Sequence, residues 1–135
     1  MPANPRDPNV WFDFAAKDLD RAHKRLAERD AEDCLFHLRQ TAEKACKAKL
    51  IEIGWNLRKT HDLTELIQEL EERSIDVNWH SQTASVLTSG YIADRYPGFS
   101  DDPIDLKALQ EHLNLAPRLF ETLTGRQQPS EPKHP

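Results

Sequence analysis

Glycine is scarce in this chain, at 4 residues of 135, aromatics make up only 7%, and runs of β-branched residues are nearly absent. Strands and tight turns draw on these residue types, so the composition argues against a sheet and for helices. No apolar run approaches the roughly 18 residues of a membrane span. Residues Met1 to Val10 carry prolines and charges in place of an apolar stretch, so they do not read as a secretory signal. The expected compartment is the cytoplasm.

Cysteine is nearly missing too. Cys34 and Cys46 are the only two, and they fall on one expected helix. Their separation is about 18 Å along a helix axis, beyond disulfide reach. They read as buried, reduced, small apolar residues. No further cysteine completes a zinc site, and the 6 histidines show no ligand spacing. No metal and no cofactor is expected.

What the chain has in quantity is charge, at 30% of residues with a net of −5. That balance argues against a generic DNA binder. The charge is uneven: residues 16–60 carry 11 Lys/Arg against 8 Asp/Glu, whereas residues 61–123 carry 4 against 12. The basic half is either a face for an acidic partner, nucleotide or RNA, or a solvated surface.

Leucine and alanine recur at spacings of three and four, which predicts about five helices in one domain. Residues 1–6 and 125–135 read as tails around a bundle over 7–124. The first helix opens at Asp7-Pro8, with the carboxylate capping free N–H groups and the proline losing nothing at the first turn. Its stripe is Trp11, Ala15, Leu19, Ala22 and Leu26. The second opens at Asp30 and ends at Gly54. Its stripe is Leu35, Leu38, Ala42, Ala45 or Cys46, Leu50 and Ile53. The small residues Ala42, Ala45 and Ala48 let neighbours approach closely, so this helix is expected at the centre.

The third helix opens at Asp62, with Glu65 at capping-box spacing, and ends near Arg73-Ser74. The fourth spans about 76–94 and stops at Arg95-Tyr96-Pro97-Gly98. The fifth opens at Asp102-Pro103 and carries Leu106, Leu109, Leu113, Ala116, Phe120 and Leu123, with Pro117 expected to kink it. Short connections favour an up-and-down antiparallel bundle, so the fold class is all-α.

Three blocks then stand in order: Cys34-Leu35-Phe36-His37-Leu38-Arg39-Gln40-Thr41-Ala42-Glu43-Lys44-Ala45, His61-Asp62-Leu63, and Tyr91 ahead of Arg95-Tyr96-Pro97. Together they resemble the HEPN domain (higher eukaryotes and prokaryotes nucleotide-binding) over roughly residues 8–124. The resemblance implies an up-and-down helical bundle that dimerises. It also implies a minimal nucleotidyltransferase as partner in a two-component, toxin–antitoxin-like module. Some members are metal-independent ribonucleases and others bind nucleotides.

The ribonuclease members carry an arginine followed, after about four to six residues, by a histidine. The histidine serves as general base or acid and the arginine steadies the phosphorane charge. Arg95 is followed by Tyr96, Pro97, Gly98, Phe99, Ser100 and Asp101, so its window holds no histidine. The pair Arg73 and His80 matches the spacing, but about one such match is expected by chance. Arg95, Arg73 and His80 are thus weak catalytic candidates.

Ligand-binding candidates are Gln40, Lys44, Lys47, His61, Arg95 and Tyr96. Gln40, Lys44 and Lys47 make a polar strip that either lines a groove for an anion or is a solvated flank. His61-Asp62 is either an acid–base pair or a helix start with His61 packing at the turn. Arg95-Tyr96 is either a helix-end cation or a phosphate-and-base contact, and Phe99 a lid or dimer contact. In each of Trp11-Phe12 and Phe14-Ala15 one residue must face outward or into a partner, which a homodimer would use. Three functions follow. The first is a non-catalytic or weakly active HEPN partner of a nucleotidyltransferase that binds nucleotide or RNA. The others are a metal-independent endoribonuclease toxin and a helical structural adaptor.

Overall fold

The computed structural model describes residues 4–56, 60, 62–75 and 106–126. These residues form four helices and no strand: α1 (Pro8–Ala27), α2 (Ala31–Glu52), α3 (Leu63–Glu72) and α4 (Leu106–Thr124). The expected fourth helix over 76–94, with His80, lies outside the described residues. So do Arg95-Tyr96-Pro97, Phe99, His61 and the expected start at Asp102-Pro103.

The helix starts follow from three aspartates. Asp7 accepts from the Asn9 N–H at 2.9 Å, Asp30 from Asp33 at 3.1 Å, and Asp62 from Thr64 at 3.0 Å. Each satisfies a donor that the first turn leaves without an intrahelical partner. At α3 the expected box closes through Thr60. The Asp62 N–H donates to Thr60 Oγ1, and that hydroxyl donates to Glu65 Oε2, both at 3.2 Å.

The ends of α1, α2 and α3 share one hydrogen-bond pattern. Asp30 N–H donates to the Arg25 carbonyl, Trp55 to Leu50 and Ile75 to Leu70. The preceding N–H in each case donates three residues back, from Arg29, Gly54 and Ser74. This is the Schellman motif, whose turning residue takes positive φ. Gly54 adopts φ +99, but Arg29 and Ser74 adopt +62 and +66 with side chains attached. A Cβ there costs about 1–2 kcal/mol, against about 0.5–1 kcal/mol for the extra chain entropy of glycine. Arg29→Gly and Ser74→Gly are therefore each expected to raise unfolding free energy by about 0.5–1 kcal/mol, and Gly54→Ala to lower it by about 1 kcal/mol. Urea denaturation of the three variants checks the signs. A lowered midpoint for both glycine variants would show that the left-handed turns carry no strain, since only the entropy cost of glycine would then remain.

α2 is the central helix and packs on α1, α3 and α4. Leu38, Ala42, Ala45, Cys46, Ala48 and Leu50 are all fully buried on it. Its small side chains let the other helices close in from more than one side. From α1 come Phe12, Ala15, Leu19 and Ala22; from α3, Leu63, Leu66, Ile67 and Leu70; from α4, Ala116, Leu119, Phe120 and Leu123. Phe12 takes the core position expected of Trp11, which is half-buried and donates its indole N–H to the Pro5 carbonyl at 2.8 Å. Leu26 and Ile53, expected in the stripes, are exposed because each lies in the last residues before its helix turns away. α4 continues helically through the buried Pro117. Its end lies beside the start of α1, where Arg126 meets Asp13 at 2.8 Å and stands 5.4 Å from the centre of the Phe12 ring.

Candidate functional site

α1 and α2 run antiparallel and meet along a polar seam. At one end the Lys47 ammonium lies 5.4 Å from the centre of the Trp11 ring. Next, Lys44 lies over the Phe14 ring. In the middle Asp18 of α1 meets Lys44 and His37 of α2, and at the far end Arg25 Nε donates to Asp33 at 2.8 Å. The α1 members follow spacings of three and four, as do Lys47, Lys44, Gln40, His37 and Asp33. Each set is therefore one stripe of its helix, and the two stripes face each other.

Asp18 is the hub. Its side chain is only 4% exposed, on a face otherwise made of Ala15, Leu19 and Ala22. One carboxylate oxygen faces His37 Nδ1 at 2.8 Å and the other accepts from Lys44 Nζ. Arg21 adds a cation at 4.0 Å. A buried carboxylate with two such partners is compensated for the water it has lost. The other nitrogen of His37, Nε2, stands 3.4 Å from Asp33 Oδ2. The imidazole is thus held between two carboxylates from different helices. An Asp–His pair is the arrangement of an oriented general base, but here the nitrogen that would take the proton already faces a second acid.

The strip of Gln40, Lys44 and Lys47 is packed on α1 and is not a uniformly solvated flank. Lys47 is buried and pairs with Glu43, one turn away, at 3.6 Å. Lys44 is tied to Asp18, and Gln40 is half-buried. Arg73 is on the surface at the end of α3, where it bonds the Glu69 carbonyl at 2.9 Å and its carboxylate at 2.6 Å. It does not reach the seam residues through any described contact.

Asp18 and His37 were not singled out from the sequence. The available signal was a lone carboxylate on an alanine–leucine stripe, which a buried partner must neutralise. The partner is 19 positions away on another helix, and no spacing rule names it.

Both thiols are inert positions. Burial, aided by Asp33 and Asp30, pushes the Cys34 thiol up to about 11. Complete burial, with Glu43 nearby, pushes Cys46 higher still. Neither supplies a thiolate nucleophile at neutral pH. Among the described residues no three His, Cys, Asp or Glu side chains converge as a metal set. No described helix is long and apolar enough to cross a membrane.

Beyond the Trp11 end of the seam is an open cleft of about 600 Å³, lined by Pro5, Arg6, Ile51, Gly54, Trp55 and Asn56.

The sequence model of the HEPN domain matches residues 9–127. This chain belongs to the HEPN domain family. The HEPN bundle is also similar to a solved protein, the crystal structure of TT1696 from Thermus thermophilus. That likeness has a TM-score of 0.78 at 25% identity and covers 87% of this chain and 96% of the other. No curated protein matches the chain.

Proposed function

We propose that this HEPN protein is the non-catalytic or weakly active partner of a minimal nucleotidyltransferase. It works in the cytoplasm as a homodimer, in a two-component, toxin–antitoxin-like module, and binds a nucleotide or RNA. The observation that carries the non-catalytic reading is His37, whose two ring nitrogens stand 2.8 Å and 3.4 Å from the carboxylates of Asp18 and Asp33. An imidazole held this way steadies a helix pair and is poorly placed to exchange a proton with a 2′-hydroxyl. His112 is buried, and His23 has its Nε2 buried. The sequence after Arg95 adds to this, since its window lacks the histidine of the ribonuclease members.

The test is RNA cleavage by the purified protein without metal, beside Arg95→Ala and His80→Ala. The expected result is no cleavage above that of the two variants. Robust cleavage lost in either variant would make the protein a ribonuclease toxin and overturn the proposal. Co-expression with a minimal nucleotidyltransferase is expected to yield a complex that co-purifies. Its failure would favour a structural adaptor for some other protein.

A further inference from the structure

The seam has an outer side that the structural pairs leave open. Phe14 is 38% exposed, with its ring edge-on to Trp11 at 6.3 Å between centroids. Lys17 and Lys44 each place an ammonium 5.9 Å from its centre, and Lys17 is exposed. One turn on, Arg21 is 56% exposed and touches Asp18 only at 4.0 Å. In the other direction the same face runs into the cleft that Arg6 and Asn56 line.

The acids of this face are engaged elsewhere. Asp18 is buried against His37 and Lys44, Asp13 pairs with Arg126, and Asp33 pairs with Arg25. What faces outward is one aromatic ring among cations, from Arg6 just ahead of α1 to Arg21, and the helical part from Pro8 to Arg21 rises about 20 Å. A second copy of this chain would set these cations against their own like about a twofold axis. A polyanion would not, and a polyanion whose units also carry flat rings uses Phe14 as well.

We propose that the outer α1–α2 face, from the Arg6 cleft through Phe14 to Arg21, binds a short single strand of RNA. One base stacks on Phe14 after displacing the flexible Lys17 chain. The phosphates on either side lie against Lys17, Arg21 and Arg6, while Asp18 keeps Lys44 beside the ring. The inference rests on the RNA-binding reading above and adds where the strand lies.

The test is fluorescence anisotropy of a labelled octa-adenosine RNA with the full chain, across a series of salt concentrations. Three contacting cations predict a plot of log affinity against log salt with a slope of about −2. Phe14→Ala is expected to weaken binding about tenfold, with its fold checked by circular dichroism. Lys17→Ala and Arg21→Ala are each expected to flatten the slope by about 0.7. Both side chains are exposed, so these two variants keep the test decisive should Phe14→Ala disturb folding. Equal binding by wild type and all three variants would sink the face as the site and leave RNA binding to another surface. No binding even at low salt would sink the RNA reading altogether. Equal affinity for a duplex of the same length would remove the stacking role of Phe14. Conversion of a dimer to a monomer by Phe14→Ala, read by light scattering, would assign the face to a second copy.

Discussion

Replacing Phe120 by alanine is expected to lower the unfolding free energy by about 4 kcal/mol. Phe120 is the largest fully buried side chain among the described residues. It belongs to the core that contains Ala15 and Leu19 of α1, Leu38 and Ala42 of α2, and Leu66 and Leu70 of α3. Truncation removes the apolar surface of the ring from this core and leaves a cavity. The neighbours on α2 include alanines, which have no rotamers with which to fill it. A domain of this size has about 5–15 kcal/mol in total, so the loss takes a large share. Urea denaturation with an unchanged slope measures it. Phe14→Ala is the comparison, since a ring 38% exposed is expected to cost less, about 1–2 kcal/mol. A loss of under about 1.5 kcal/mol for Phe120→Ala would mean that α4 does not complete the core as described.

Asp18→Ala is expected to cost about 3 kcal/mol. The change strands two groups at once, because His37 and Lys44 both lose the oxygen that faces them. The figure is placed at the low end for a broken buried pair because Lys44 is 24% exposed and can turn to water. Asp18→Asn keeps the shape and an acceptor for His37 but leaves the lysine unneutralised, so an intermediate loss is expected. A double-mutant cycle with Lys44→Met isolates the pair, since methionine retains the length of the chain and removes its charge. A coupling energy below about 0.5 kcal/mol would place Asp18–Lys44 among ordinary surface ion pairs.

The candidate site was less legible than the fold. Gln40, Lys44 and Lys47 were visible as one strip because i, i+4 and i+7 follow from helix geometry alone. Their exposure was not visible, since it depends on what α1 places opposite them. Lys47 is buried under Trp11 and against Glu43, and Lys44 is claimed by Asp18. Trp11 and Phe12 show the same limit inside one helix. Both fit an apolar face, and only packing against the rest of the bundle selects Phe12 for the core.

Local rules determined the helices themselves. Asp7, Asp30 and Asp62 start them, because a short carboxylate reaches the free N–H groups of the first turn. Gly54 ends the central one, because it alone among its neighbours takes positive φ without a side chain to strain. The all-helical class and the HEPN family also follow from residues read in order. Tertiary structure decided what order does not contain. It holds Arg29 and Ser74 in left-handed turns without glycine, because packing of the helices that they end outweighs a local strain of about 1–2 kcal/mol. It joins Asp18 to His37 across 19 positions, because a buried charge requires a partner and only the antiparallel pairing of α1 and α2 brings this one within reach.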